Sequence, residues 1–331
     1  MIVVCPGTLK AGFKTYSPAC LKKVFDGKKV SHILGFDWTE DREDITDAVN
    51  RISISGVQEK FSACIKDGCI SLTQAGESGR YIIKPVPAYR HLRFRNNIPA
   101  NEHLTMQIAS QVYRLNTADN ALAFFHDGEP AYVTRRFDYA PDGSKLQQDD
   151  FASLAGKTAH TLGSDYKYTG SYEDIAALIR QYVATWKVQM TQFFSLVMFN
   201  YLFCNGDAHL KNFSLITSPG GDYVLAPAYD LMNTAVHVDD SDFALQDGLM
   251  PQSVRSGIYD RSAHPCKDDF ITFGKRIGVL PGKINALVEM YAADHLLVYE
   301  LIENSFLDDK VKRMYRRLYQ ERLNRFRRSE N

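Results

Sequence analysis

The hydrophobic pattern of this chain changes character once, at the turn signal Pro141-Asp142-Gly143, and that switch limits the folds open to it. Before the turn, short β-branched or aromatic runs at 61–65, 69–73 and 81–84 alternate with turn residues, Lys66-Asp67-Gly68 first and then a Gly-rich stretch. Such spacing predicts an antiparallel meander. Asn101-Glu102 opens a helix-like stretch that runs to Val112, and 131–137 reads as a further strand. After the turn, helix-like segments recur near 146–156, 172–183, 188–204, 267–277, 283–304 and 308–327. One hairpin interrupts them, with 213–217 and 223–226 flanking Ser218-Pro219-Gly220-Gly221. The expected fold class is α+β in two lobes: a β-rich N-terminal lobe over 1–138 and a mostly helical C-terminal lobe over 139–331.

Charge and cysteine usage exclude several classes. Lys plus Arg equal Asp plus Glu at 39 each, so the 331 residues carry no global electrostatic footprint for nucleic acid or an anionic membrane. Direct nucleic-acid binding is not expected. The six cysteines form no CxxC pair and no zinc spacing, and the start lacks a charged region followed by a long apolar core, which fits a reducing cytoplasm. The longest apolar run, 193–204, is about half of the roughly 20 residues a membrane span needs.

The chemistry-bearing residues follow the apolar run. Asp207 and Asn212 lie on a loop after Gly206, which is read as the helix breaker, and four residues separate them. That is the spacing of a kinase catalytic loop, where an Asp accepts the proton of the substrate hydroxyl and an Asn binds magnesium. The hairpin that follows ends at Tyr229-Asp230, returning a second carboxylate to the same edge. Phosphoryl transfer uses such groups because the transferring phosphate is heavily charged. His209 reads as a hydrogen-bonding brace within the loop, and Lys211 either contacts the phosphate or is solvated. Lys84, at the end of a strand, is placed to pair with nucleotide phosphates, with Glu102 on the next helix holding its ammonium. No G-x-G-x-x-G is present. In its place, backbone amides around Gly56 and the Lys60 ammonium could cover phosphates, or the segment is simply strand, turn and strand.

Seven segments in order, SISGVQEK (53–60), YIIKP (81–85), NEH (101–103), RRFD (135–138), KYTGSYED (167–174), NGDAHLKNFSL (205–215) and PAYDLMN (227–233), resemble the HipA family of bacterial toxin kinases. The resemblance implies a two-lobed protein-kinase-like fold. It implies transfer of the ATP γ-phosphoryl group to a protein Ser or Thr, in known members on an aminoacyl-tRNA synthetase. Asp207 would be the base, and Asn212 and Asp230 the Mg²⁺ ligands. Ser55, Gly56, Val57, Gln58 and Lys60 would belong to the ATP site, Lys84 would hold the phosphates with Glu102 keeping its ammonium in place, and the backbone around Arg135 and Phe137 would hold the adenine. His209, Lys211 and Tyr229 would complete the ATP site, and Ser53 and Ser55 would be autophosphorylated. Such kinases are neutralised by small antitoxins.

The SIS segment begins only some fifty residues from the start, which looks like the short HipT form. In that arrangement an antitoxin resembling the missing N-terminal subdomain is a separate protein, beside a helix-turn-helix DNA-binding partner. The GD-x-H signature also fits aminoglycoside and choline kinases, so a small-molecule kinase stays open, as does a pseudokinase scaffold or corepressor. Cys5 and Cys20 leave too few ligands for zinc and read as part of a structural cap. The basic stretch 310–328 reads as an amphipathic helix with a solvated face, or as a docking surface.

Overall fold

Asp67 (φ 50°) and Gly68 (φ 74°) both adopt left-handed backbone, closing a two-residue hairpin between β1 (Phe61–Lys66) and β2 (Cys69–Leu72). This computed structural model describes residues 2–37, 59–74, 76–88, 92–218 and 220–330. With β3 (Tyr81–Lys84), β4 (Asn120–Phe124) and β5 (Pro130–Arg135) the hairpin forms an antiparallel sheet in the order β2-β1-β3-β5-β4. The expected meander would have placed β2 centrally; instead β3 pairs on the other side of β1, Phe61 opposite Ile83. The link before β3 crosses close over β1. A Cβ on Gly79 would lie 1.9 Å from Ser62 Oγ and 3.0 Å from the Ala63 nitrogen, so only glycine fits there.

The two faces of this sheet bury different things. Tyr81, Ile83, Ala131 and Val133 join Phe25, Phe61 and the N-terminal segment in one cluster, to which α1 (Pro18–Val24) contributes Cys20 and Val24. Cys5 and Cys20 are both buried there, where the Cys5 thiol accepts from the Ser17 amide at 3.1 Å. The alternate residues Lys84 and Tyr132 face the other way, toward α2 (Ile98–Gln111). Pro99 sits in the first turn of α2, so the helix starts three residues before Asn101. Every residue from Ile98 to Ala109 is buried, because the sheet lies on one side and the helical lobe on the other.

In the C-terminal lobe the segment 146–156 is not a helix. It is β6 (Gln148–Asp150), followed by the single turn α3 (Phe151–Leu154), where the Asp150 carboxylate caps the Ser153 amide. Next come α4 (Ala159–Leu162), α5 (Tyr172–Tyr182) with a Ser171/Asp174 capping box, and α6 (Trp186–Leu202). β7 (Ser214–Thr217) pairs with β6 and with β8 (Tyr223–Leu225), the expected hairpin. Five helices complete the lobe: α7 (Gly257–Ser262), α8 (Lys267–Arg276), α9 (Pro281–Ala292), α10 (Leu296–Asn304) and α11 (Asp309–Phe326). The stretch read as one helix over 283–304 is thus two.

One continuous core runs from α2 through α6 to α11 and includes Leu104, Met106, Phe193, Phe199 and Tyr315. The basic stretch is indeed amphipathic: Val311, Tyr315, Tyr319, Leu323 and Phe326 face inward. Tyr315 Oη meets Thr105 Oγ1 of α2 at 2.9 Å, and Arg322 is buried in an ion pair with Asp242, its guanidinium over the Tyr201 ring at 4.9 Å. Among the described residues no helix is long and apolar enough to cross a membrane.

Candidate active site

The loop after α6 is shaped by its backbone partners. α6 ends at Leu202, close to the end expected near 204, and the left-handed residue that turns the chain is Cys204 (φ 53°) and not Gly206, which was read as the breaker. Gly206 is required for another reason: a Cβ there would lie 2.3 Å from Asp240 Cγ. The Gly206 amide donates to Thr234 Oγ1 at 2.9 Å, and that hydroxyl donates to the Cys204 carbonyl at 3.0 Å. Tyr172 Oη donates to the Ala208 carbonyl at 2.9 Å. Held from both ends, the loop puts Asp207 at the mouth of a cavity of about 1070 Å³ between the lobes.

Asp207, Asn212 and Asp230 all line this cavity, with Lys60, Lys84 and Glu102. Lys84 Nζ is 2.6 Å from Glu102 Oε1 and also pairs with Asp230 Oδ1, while Lys60 Nζ stands 3.6 Å from Asp230 Oδ2. Burial alone would raise the Asp230 carboxyl; the Lys60 and Lys84 ammoniums outweigh it and hold the group well below the usual range. Burial opposes charge on Lys84 as well, yet Asp230 and Glu102 keep it protonated. Glu102 is pushed up by its burial against the pull of Lys84. Asp230 itself sits at φ 55°, a left-handed conformation that costs a non-glycine residue on the order of 1 kcal/mol or more. Such strain is concentrated where a side chain must be aimed.

Asn212 has a buried Oδ1 with no protein hydrogen-bond partner. In the cavity that Asp230 also lines, that orphaned oxygen fits a magnesium ion, which takes oxygen ligands and keeps waters or phosphates in its remaining positions. Among the described residues no cluster of three His, Cys, Asp or Glu suggests any other metal centre.

The remaining expected residues divide. His209 is buried beside the Tyr168 ring, centroids 5.1 Å apart, and its desolvation, helped by Lys167, pushes the imidazole down to about 3. It is therefore neutral, and its buried Nδ1 has no protein hydrogen-bond partner. Lys211 is neither solvated nor free, since Nζ lies 2.6 Å from Asp150 Oδ2. Tyr229 Oη donates to the Lys211 carbonyl at 2.9 Å, and its ring packs on Phe137 at 5.5 Å. Arg135 turns away to Asp26 at 2.6 Å, and the cavity wall at this point is Arg136 and Asp138. Ser53, Ser55, Gly56, Val57 and Gln58 lie outside the described residues.

Three groups at the cavity were not anticipated. Asp150 anchors Lys211, Asp240 covers Gly206, and Tyr168 Oη donates to Asp207 Oδ1 at 2.8 Å. Tyr168 stands within the quoted KYTGSYED segment, so the signal was visible without its role; the other two come from packing between distant segments.

The HipA-like C-terminal domain family is matched over residues 52–296. A Haemophilus influenzae protein named as a candidate kinase is 28% identical over 278 residues, covering 80% of this chain and 75% of the relative. The candidate kinase Y4dM of Sinorhizobium fredii is 30% identical over 228 residues, 65% of this chain and 53% of its own, so this chain spans about half of that protein. Among solved structures, the Shewanella oneidensis toxin–antitoxin complex of HipA, HipB and operator DNA superposes with a TM-score of 0.62 at 21% identity, over 87% of this chain and 67% of the other. The Helicobacter pylori proinflammatory kinase CtkA gives 0.51 at 16%, over 80% and 93%. At those identities the likeness speaks for the fold.

Proposed function

This chain belongs to the HipA-like C-terminal domain family, and from that premise we propose that it is an ATP-dependent serine/threonine protein kinase of the toxin type. The observation that carries the proposal is the Lys84 bridge between buried Glu102 and Asp230, facing the Asp207–Asn212 loop across one cavity. Lys84, relieved of Asp230, would hold the nucleotide phosphates, with Glu102 keeping its ammonium in place. Asn212 and Asp230 would hold magnesium, which when bound supplies charge neutralisation on the phosphates. Asp207, half exposed at the mouth, would orient the acceptor hydroxyl and take its proton.

Burial raises the Asp207 carboxyl, with the Tyr168 hydrogen bond opposing, which moves it toward the basicity a proton acceptor needs. The acceptor we propose is a protein hydroxyl, an aminoacyl-tRNA synthetase being the substrate the family resemblance suggests, with Ser53 and Ser55 as self-acceptors. The solved complex of HipA with HipB and operator DNA supports an antitoxin and a DNA-binding partner for this chain too. The test is transfer from Mg-ATP by wild type, Asp207→Ala and Asp230→Asn, with nucleotide affinity measured beside it. Transfer lost in both variants supports the assignment, and activity within about threefold of wild type in either would refute it, since losing such a group typically costs roughly a hundredfold.

A further inference from the structure

A base must lie within hydrogen-bond reach of the proton it removes, and a carboxylate with an exposed, freely rotating side chain spends little time there. The Asp207 side chain is 50% exposed, so something must hold it. We infer that Tyr168 is a positioning residue for the reaction: its hydroxyl fixes Asp207 through Oδ1 and so aims Oδ2 at the acceptor. This rests on the proposed role of Asp207 as the base.

Several observations make Tyr168 a rigid donor. It closes the helical turn Ser164–Tyr168, and its own carbonyl accepts from the Gln246 amide at 2.9 Å. Two residues on, the Gly170 carbonyl accepts from Asp247 at 3.0 Å, so the backbone is pinned on both sides of Thr169. The ring has two close neighbours: His209 meets it edge-on at 5.1 Å, and the Lys167 ammonium lies 5.0 Å from its centroid.

The nearest competitor for Oδ1 is His209 Nε2 at 3.9 Å, which is beyond hydrogen-bond range and belongs to an imidazole that burial keeps neutral. Among the described residues Oδ2 accepts no protein hydrogen bond. A phenol also suits the task chemically. Burial and the Asp207 charge push the Tyr168 hydroxyl up, so it keeps its proton and holds the carboxylate without neutralising it. The arrangement repeats a general logic of activated groups, in which a base is oriented by a third residue that takes no part in the bond changes.

The experiment compares Tyr168→Phe, Asp207→Ala and the double variant, reading total γ-phosphoryl release from Mg-ATP, to protein and to water together, with kcat and KM separated. Phenylalanine keeps the ring and its packing on His209. Expected is a fall in kcat of roughly 10- to 100-fold, the usual worth of a hydrogen bond to a charged group, with KM for Mg-ATP within about twofold. In the Asp207→Ala background the same change should cost nothing further, because there is no carboxylate left to aim.

If Asp207→Ala stays active, the base assignment fails. If it is inactive while Tyr168→Phe keeps wild-type kcat, the positioning role alone fails. A rise in KM with kcat unchanged would equally overturn it. Fluorotyrosine placed at 168 in the otherwise native chain gives an independent readout: its fluorine resonance should move on Asp207→Asn, and an unmoved resonance contradicts the contact.

Discussion

Replacing Lys84 by methionine removes a cation from a site where its own side chain and that of Glu102 are only 5% and 4% exposed. Solvent screening is therefore nearly absent, and the cost is that of an uncompensated buried charge, about 3–5 kcal/mol. Asp230 suffers less, because Lys60 remains 3.6 Å away. With a urea slope of about 3 kcal/mol/M for a chain of this size, the unfolding midpoint should fall by roughly 1 M at pH 8.

The pH dependence has a definite sign. Burial already raises Glu102, and losing Lys84 raises it further above its unfolded value. A carboxyl whose folded value lies above the unfolded one is favoured in acid and penalised as pH rises through the folded value. The Lys84→Met deficit should therefore shrink near pH 5 and be largest at pH 8. Adding Glu102→Met should restore most of the stability at pH 8, since replacing both partners of a buried pair by apolar groups is often neutral, while transfer stays lost in both variants. A single variant as stable as wild type at pH 8, or a double variant no better than the single, would refute the account of the Lys84 clamp.

Other outcomes follow from neighbouring residues. Asp230→Asn should cut Mg-ATP-dependent transfer by about a hundredfold or more, measured by γ-phosphate release. Asp207→Ala should leave nucleotide affinity within about threefold of wild type by calorimetry, because the role proposed for the carboxylate is to position the acceptor and not the phosphates. His103 is wholly buried on α2, and desolvation pushes it down to about 4, so the unfolded chain takes up its proton first. Stability should then fall as pH drops from about 6.5 toward 4, by up to about 3 kcal/mol, and His103→Gln should flatten that slope in urea titrations. Gly206→Ala should depress kcat, and Asp240→Ala in the same chain should recover it, because the clash is with that one side chain.

What was legible in the sequence was what local pattern and spacing encode. Asp207, Asn212 and Asp230 meet at one cavity as their spacing suggested, and Lys84 finds Glu102. β4 escaped notice because Asn-Ala-Leu-Ala-Phe carries no β-branched residue; pairing with β5 and complete burial override its local preference. The strand order escaped because Gly79 marks a close backbone crossing that only the fold reveals. β6 was read as helix because Phe151, Ala152 and Leu154 supply an apolar helical spacing, whereas the Asp150 cap moves the start of that helix to Phe151. Lys211 stayed ambiguous for a similar reason: its partner Asp150 stands 61 residues earlier, and no spacing rule connects them.

The contacts of α11 also set a time at which the site can exist. During synthesis the chain emerges in order, and domains fold as their segments become available. The helix that carries Glu102 is tied to Tyr315 across 210 residues, and Asn97 just before it to Asp308 across 211. The segment that begins the Asp207 loop rests on Arg322, through Tyr201. Until α11 has been made, the helix of Glu102 and the segment leading to Asp207 each lack one of their supports. A nascent chain that already bears every residue lining the cavity still lacks these contacts, so the full support of the site arrives only once Asp309–Phe326 have been made.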